Sequence, residues 1–315
     1  MASIGEQALP GGTTTATRRT WWGRLRRSEA GVALLFLLPN LIGFLVFTAR
    51  AVIEAFRLSF YRADLLTPEV WVGLNNYQRL LFSDDLFHRV LFNTAYYTLG
   101  SVPLAIIVGL LLAVLVNVPL RGITLFRTAY FMPVVSSVVA VSLLWQWLYN
   151  SDFGLINEAL RALGLRNPPI WLSDPNWAMP ALIIMSIWRQ AGYNMVLFLA
   201  GLQGIPQHLY EAAEIDGANA WHRFWRITLP LLTPTTFFVL VISIIGSFQV
   251  FDQALILTNG GPANATNTVV MYIYQQGFQY FRMGYASAIA WILFIIIFAL
   301  TVVQWQYQRK WVHYE

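Results

Sequence analysis

The 315-residue chain has no cysteine and a single lysine, Lys310. Without cysteine there is no disulfide, no thiolate metal site and no cysteine nucleophile. A phosphate-gripping loop of the form Gly-x-x-x-x-Gly-Lys-Ser/Thr uses its lysine to neutralise phosphates cradled by backbone amides. Lys310 follows Arg309, not glycine, so ATP hydrolysis by that route is closed to this chain. Its four histidines, His88, His208, His222 and His313, are scattered and form no His-Glu-x-x-His pair. No nucleophile–base pair or metal cluster is recognisable, which argues against an enzyme and against a metal site. Charge is scarce as well, at 11% of residues, against about 25% in soluble proteins.

What replaces charge is apolar surface: 57% of residues are hydrophobic and the mean hydropathy is +0.55. The sequence therefore reads as an all-α membrane protein. Residues 1–30 form a tail, Gly/Thr/Ala-rich at first and arginine-rich later (Arg18, Arg19, Arg24, Arg26, Arg27), which is expected to be disordered and cytoplasmic. An apolar run over 31–49 follows. It is about membrane-spanning length and no Ala-x-Ala site comes after it, so it is expected to be a first, uncleaved span. Five more runs, at 91–118, 125–149, 178–202, 235–257 and 285–307, each reach the ~20 residues a helix needs to cross the hydrocarbon core.

Six spans put both termini on one side. That side would hold the arginine tail with Arg121, Arg127, Arg223, Arg226, Arg309 and Lys310, eleven cations in all. The other would hold six arginines against seven acids, so the first side is expected to be the cytoplasm. The same distribution accounts for the basic isoelectric point without nucleic acid. The outer segments carry turn clusters, among them Asp174-Pro175-Asn176, and tryptophans Trp71, Trp171 and Trp177 suited to the membrane interface.

The longest polar island in the second half, 203–230, falls on the cytoplasmic side. Pro206 suits the first turn of a helix, and Asp216-Gly217 is a turn dipeptide that stops it. Asn219 can cap a second helix on which Trp221, Phe224 and Trp225 share a face, with Pro230 ending it. The result is a helix-turn-helix elbow with acids on one arm and an aromatic knob on the other. It could lie on the membrane as an amphipathic element or insert into a partner's groove.

Ionisable groups inside spans are default functional candidates. Arg189 and Asp252 are two such groups, and they could either pair with each other or face a cavity. Ser186, Arg189, Gln190 and Tyr193 make one polar stripe along the fourth span. Ser243, Gly246, Ser247 and Val250 make a weaker one along the fifth, with Gln249 and Asp252 beside it. Hydroxyls, amides and an aromatic ring are what a sugar site needs.

Glu211-Ala212-Ala213-Glu214-Ile215-Asp216-Gly217-Ala218, with Phe224 and Leu229-Pro230, resembles the coupling loop of the transmembrane subunits of bacterial ABC importers. Val72-Gly-Leu-Asn-Asn-Tyr77, Phe126-Arg-Thr-Ala-Tyr-Phe-Met-Pro133 and Leu257-Thr-Asn-Gly-Gly-Pro262 are similar to landmarks of the sugar-importer branch, so the resemblance covers 34–310. It implies a 31–310 permease domain in a bacterial or archaeal cytoplasmic membrane, with a short cytoplasmic end at 311–315. It also implies a second related permease, an ATP-binding cassette dimer carrying ATP and Mg, and an extracytoplasmic solute-binding protein. Glu211, Ala212, Ala213, Asp216, Gly217, Ala218, Trp221 and Phe224 then become the ATPase-coupling residues. The two stripes align with the sugar-lining positions of the maltose-type permeases, while Trp188-Arg-Gln-Ala-Gly-Tyr-Asn194 is more similar to the glycerol-3-phosphate type, which has a cation at Arg189. An ATP-independent secondary transporter would need intramembrane charges organised as a relay, and only two deep ones exist.

Overall fold

The computed structural model describes residues 29–64 and 67–311; the tail over 1–28 and residues 312–315 lie outside them. Glu29 and Ala30, assigned to the tail, already belong to a helix. The chain divides into two units, the first ending at Glu54 and the second starting at Ala55. The described part of the first is helical, Glu29–Gly43 continuing into a π turn at Phe44–Ala49, and helix α1 (Ala33–Leu58) has span length and a mean hydropathy of 1.9.

In the second unit a short hairpin, β1 (Tyr61–Arg62) paired antiparallel with β2 (Val70–Trp71), and α2 (Asn75–Phe82) precede α3 (Asp85–Val116). At 32 residues, α3 is about 48 Å long and overshoots a hydrocarbon core of about 30 Å. Its N-cap, Asp84, accepts the Phe87 amide proton at 2.9 Å and the hydroxyl protons of Tyr272 and Tyr285. Burial pushes the Asp84 carboxyl up, but the two tyrosines, the Phe87 amide and nearby Arg79 outweigh it and hold the group below its ordinary value.

The 125–149 run is not one straight span. It is α4 (Ile123–Val135) and α5 (Val138–Leu148), bent by 98°. Pro133 removes one rung of the ladder, Ser136 and Ser137 turn extended, and the Ser136 hydroxyl donates back to the Met132 carbonyl at 2.9 Å. After α6 (Leu155–Ala162) comes α7 (Pro175–Gln203). The Asp174-Pro175-Asn176 turn cluster is in fact its start: Asp174 accepts the Asn176 amide proton at 2.8 Å and Pro175 occupies the first turn.

The elbow follows as α8 (Gln207–Ile215) and α9 (Ala220–Leu231), and α9 meets α10 (Thr233–Phe248) at 62°. Pro230 does not end α9, because a π turn at Phe224–Thr228 precedes it and the helix runs on to Leu231. The fifth span likewise differs from 235–257: α10 stops at Phe248 and α11 (Asp252–Thr258) starts afresh. The chain closes with α12 (Val269–Tyr274) and α13 (Met283–Trp311). Among the described residues four helices are unbroken candidates for crossing a membrane, and six spans result if each bent pair counts as one.

The core is centred on α3 against α7. A methyl group at Gly109 of α3 would lie 2.5 Å from Asn194 Cβ and 3.2 Å from the Ala191 carbonyl, so the two backbones nearly touch. On its other side α7 meets α4, where a Cβ on Gly192 would sit 2.1 Å from the Tyr130 carbonyl oxygen. Tyr97, Trp145, Leu182 and Met185 fill one buried cluster, and Ala113, Met195, Phe198 and Leu232 fill another nearer the elbow. Trp171, expected at the interface with Trp71 and Trp177, lies in the first cluster at 7% exposure.

Gly192→Ala drives a methyl into backbone and is expected to cost about 1–3 kcal/mol. Gly246→Ala, with nothing within 4 Å of the added carbon, is expected to be neutral or slightly stabilising. Thermal unfolding of the two variants in detergent checks the contrast, and equal midpoints would refute the tight α4–α7 contact.

Candidate functional site

The break between α10 and α11 opens a cavity of about 260 Å³ among α3, α5 and α7. Nine of the ten residues expected around a solute surround it: Ser186, Arg189 and Gln190 from α7, Ser243, Gly246 and Ser247 from α10, and Gln249, Val250 and Asp252 at the break. Tyr193 does not line it. It shares the α7 stripe, but seven residues beyond Ser186 carry it about 10 Å further along the axis, to a position 37% exposed.

Seven further residues complete the wall: Tyr97, Ser101, Val102 and Ala105 of α3, Val138 of α5, Phe251 at the break and Gln253 of α11. The signal for Tyr97 and Ser101 was present, because Asn93, Thr94, Tyr97, Thr98 and Ser101 make a buried polar stripe along an otherwise apolar helix. Tyr97 donates its hydroxyl to Ser186 Oγ at 2.7 Å, and Ser101 donates to the Tyr97 carbonyl at 2.7 Å. Ser186 Oγ in turn lies within donating reach of the Leu182 carbonyl at 2.7 Å and of Gln253 Oε1. One hydroxyl thus ties α3, α7 and α11 together at the cavity wall.

Arg189 and Asp252 do not pair with each other. The ion pairs among the described residues that involve the second unit's loops and elbow are Arg57–Glu69, Arg161–Glu158 and Arg223–Glu214. Arg189 Nε is buried without a hydrogen-bond partner, and so is Ser243 Oγ on the facing wall. The cavity therefore presents a cation, a carboxylate and several amides and hydroxyls, which suits a polar solute better than an apolar one.

The elbow is the second constellation. The chain leaves α8 through Gly217 at φ +78°, with the Gly217 amide on the Glu214 carbonyl and the Ala218 amide on the Ala213 carbonyl at 3.0 and 2.9 Å. These are the two bonds of a Schellman stop. Asn219 then caps α9 by accepting the His222 amide proton at 2.9 Å. Two cross-ties hold the arms at their angle: Tyr210 and Thr228 hydroxyls at 2.9 Å, and Arg223 with Glu214 at 3.2 Å. Glu211, Ala212, Asp216 and Gly217 are exposed, as is Trp221, while Ala213, Ala218 and Phe224 are half-buried. The aromatic knob is real: Trp225 packs edge-on to both Trp221 and Phe224, with centroids 5.5 and 5.6 Å apart.

Residues 96–312, which contain both the cavity and the elbow, match the family described as binding-protein-dependent transport system inner membrane component. The chain belongs to this family. The permease is 39% identical to the probable ABC transporter permease protein YesP of Bacillus subtilis, over 89% of this chain and 91% of that one. It is 38% identical to the arabinooligosaccharides transport system permease protein AraP of the same organism, over 92% of each. A solved bacterial ABC transporter involved in the import of the acidic polysaccharide alginate superposes with a TM-score of 0.80 at 27% identity, covering 92% of the permease and 98% of that chain. The permease is thus a multi-pass inner-membrane transport subunit of the ABC class.

Ser186→Ala would strand the Tyr97 hydroxyl and Gln253 Oε1 in a buried wall, and is expected to cost about 1–3 kcal/mol. Tyr97→Phe removes a donor and leaves Ser186 its other partners, so its cost should be smaller. Unfolding of the two variants in detergent measures the difference, and a larger loss from Tyr97→Phe would show that Ser186 is not the shared strut.

Proposed function

We propose that the permease forms the translocation pathway for a carbohydrate or related polyol in an ABC importer, driven by ATP hydrolysis on a separate subunit. The observation that carries this reading is the cavity at the α10–α11 break, whose walls are amides and hydroxyls on spans that are otherwise apolar. The names of the relatives, one for arabino-oligosaccharides and one for an acidic polysaccharide, support a sugar-type solute. In this reading a second, related permease completes the pathway, an ATP-binding cassette dimer holds ATP and Mg, and an external solute-binding protein delivers the solute. Both termini are cytoplasmic, on the side of the elbow. Ser186, Arg189, Gln190, Ser243, Gly246, Ser247, Gln249, Val250 and Asp252 are the solute-facing positions, and Tyr193 lies one step further along the path.

An anionic solute, such as an acidic sugar or a glycerol phosphate, is the second reading. The unpaired Arg189 favours it, since a guanidinium without an acidic partner can bind carboxylate or phosphate in a bidentate manner. ATPase activity of the assembled complex in lipid, with its binding protein, separates the two. Stimulation by neutral oligosaccharides supports the first reading. Stimulation confined to acidic oligosaccharides or glycerol phosphates, and lost in Arg189→Gln, supports the second. Stimulation by none of them would sink both.

Glu211, Ala212, Ala213, Asp216, Gly217, Ala218, Trp221 and Phe224 transmit the ATPase's motion. Gly217→Val forces a β-branched residue into the left-handed region and should distort the elbow alone. The variant is expected to reach the membrane in normal amount while solute-stimulated uptake falls at least about tenfold, as loss of a whole docking element implies. Unaltered uptake would overturn the role given to the turn.

A further inference from the structure

A second cavity, of about 440 Å³, lies toward the outer ends of α5 and α11. These two helices pack together, and both also border the deep cavity: Val138 and Gln253 face the inner space, Gln146 and Thr258 the outer one. The eight residues from Val138 to Gln146 rise about 12 Å, so the two spaces sit at opposite ends of one helix pair. No residue of the outer wall carries a charge at neutral pH. Its polar members are Gln146, Asn150, Ser151, Ser173, Thr258 and Asn259, with Tyr149 and Trp171 among them.

Several of these groups have hydrogen-bonding capacity left over. Among the described residues Gln146, Ser173 and Asn259 make no side-chain hydrogen bond, and Asn150 uses only Oδ1, on the Asp152 and Phe153 amides. Trp171 is held in place, its Nε1 donating to Asn157 Oδ1 at 2.8 Å and its ring 5.3 Å from that of Tyr149. Amides and a hydroxyl without partners in an uncharged wall are what a polyhydroxylated, uncharged ring requires. The deep cavity, by contrast, presents Arg189 and Asp252.

We propose that the outer cavity is a second sugar subsite, which holds a neutral unit of an oligosaccharide while another unit occupies the deep cavity. This rests on the carbohydrate reading of the deep cavity and adds to it a length preference. A monosaccharide fills one space at a time, whereas a short oligosaccharide engages both once the packed layer between them, Val141, Trp145, Ala254 and Leu257, opens during transport.

The test uses the assembled complex, with its ATPase and binding protein, in proteoliposomes supplied with arabinose or with arabino-oligosaccharides of increasing length. Gln146→Trp and Ser173→Trp fill the outer cavity from two walls. Each is expected to lower the ratio of long-chain to monosaccharide uptake roughly tenfold, the worth of one or two lost hydrogen bonds. In parallel, hydrogen–deuterium exchange of the complex is expected to slow across 170–173 when arabinotriose is added, and not in Gln146→Trp. If both variants depress every length alike, the wall is a docking or assembly face and the proposal fails; unchanged ratios with unchanged exchange also overturn it. A wild-type complex that takes up none of these sugars, yet shows the protection at 170–173, would count against the carbohydrate reading of the deep cavity and leave the outer subsite standing.

Discussion

In hydrocarbon no water is available to a peptide group, so each place where the chain leaves a helix must be covered by protein or open onto a wet space. This permease leaves a helix within its apolar runs at Ser136-Ser137 and at Gln249–Phe251. Both breaks border the same cavity, through Val138 on one side and Gln249, Val250 and Phe251 on the other. The polar lining and the irregular backbone have one cause. A span can carry unpaired amides only where something polar will meet them.

Keeping such a cavity open needs a rigid frame around it, and the α3–α7 pair provides one. Glycine at 109 brings the two backbones into contact, while Gly192 does the same for α7 and α4. Between lipid-facing helices there is little hydrophobic gain from association, so close backbone approach and dispersion must hold them. The Tyr97–Ser186–Gln253 chain adds directional ties near the cavity, where packing is interrupted. Leu99, Ile107, Leu111 and Leu115 of α3 remain exposed on the opposite side, as expected for a face turned to lipid or to another subunit.

Much of this was legible in the sequence, but unevenly. Elbow geometry depends on local chemistry, and so Gly217 and Asn219 could be read directly: a left-handed turn and a side-chain cap involve residues only a few positions apart. Existence of the apolar runs was equally plain. Their breaks were not, since averaged hydropathy is blind to backbone direction, and 125–149 stays apolar through a 98° bend. Pro133 followed by two serines was the available warning. The α3 stripe around Tyr97 is masked by the strongly apolar run in which it lies, whose mean hydropathy is 2.7. Whether Arg189 meets Asp252 depends on the placement of α7 against a break in another run, which no local pattern encodes.

The elbow's place in the chain bears on how motion could reach the cavity. It begins one turn after α7 ends at Gln203 and leads into α10 at Thr233, and these two helices supply six of the cavity's polar and small-residue positions. Its own angle is fixed by a Schellman stop, a side-chain cap and two cross-ties. At its far end the links inward are buried: Thr228 is 6% exposed and Leu232 not at all, the latter packed with Phe198 and Leu202 of α7. At the outer surface of the elbow, Ile215 and Trp221 stand 87% and 67% exposed beside Glu211 and Asp216. An apolar and aromatic surface ringed by acids on a stiff lever has the composition of a docking face. Only Gly204–Pro206 separate the elbow from α7 and only Leu232 from α10, so a push delivered there would reach both cavity walls through short links.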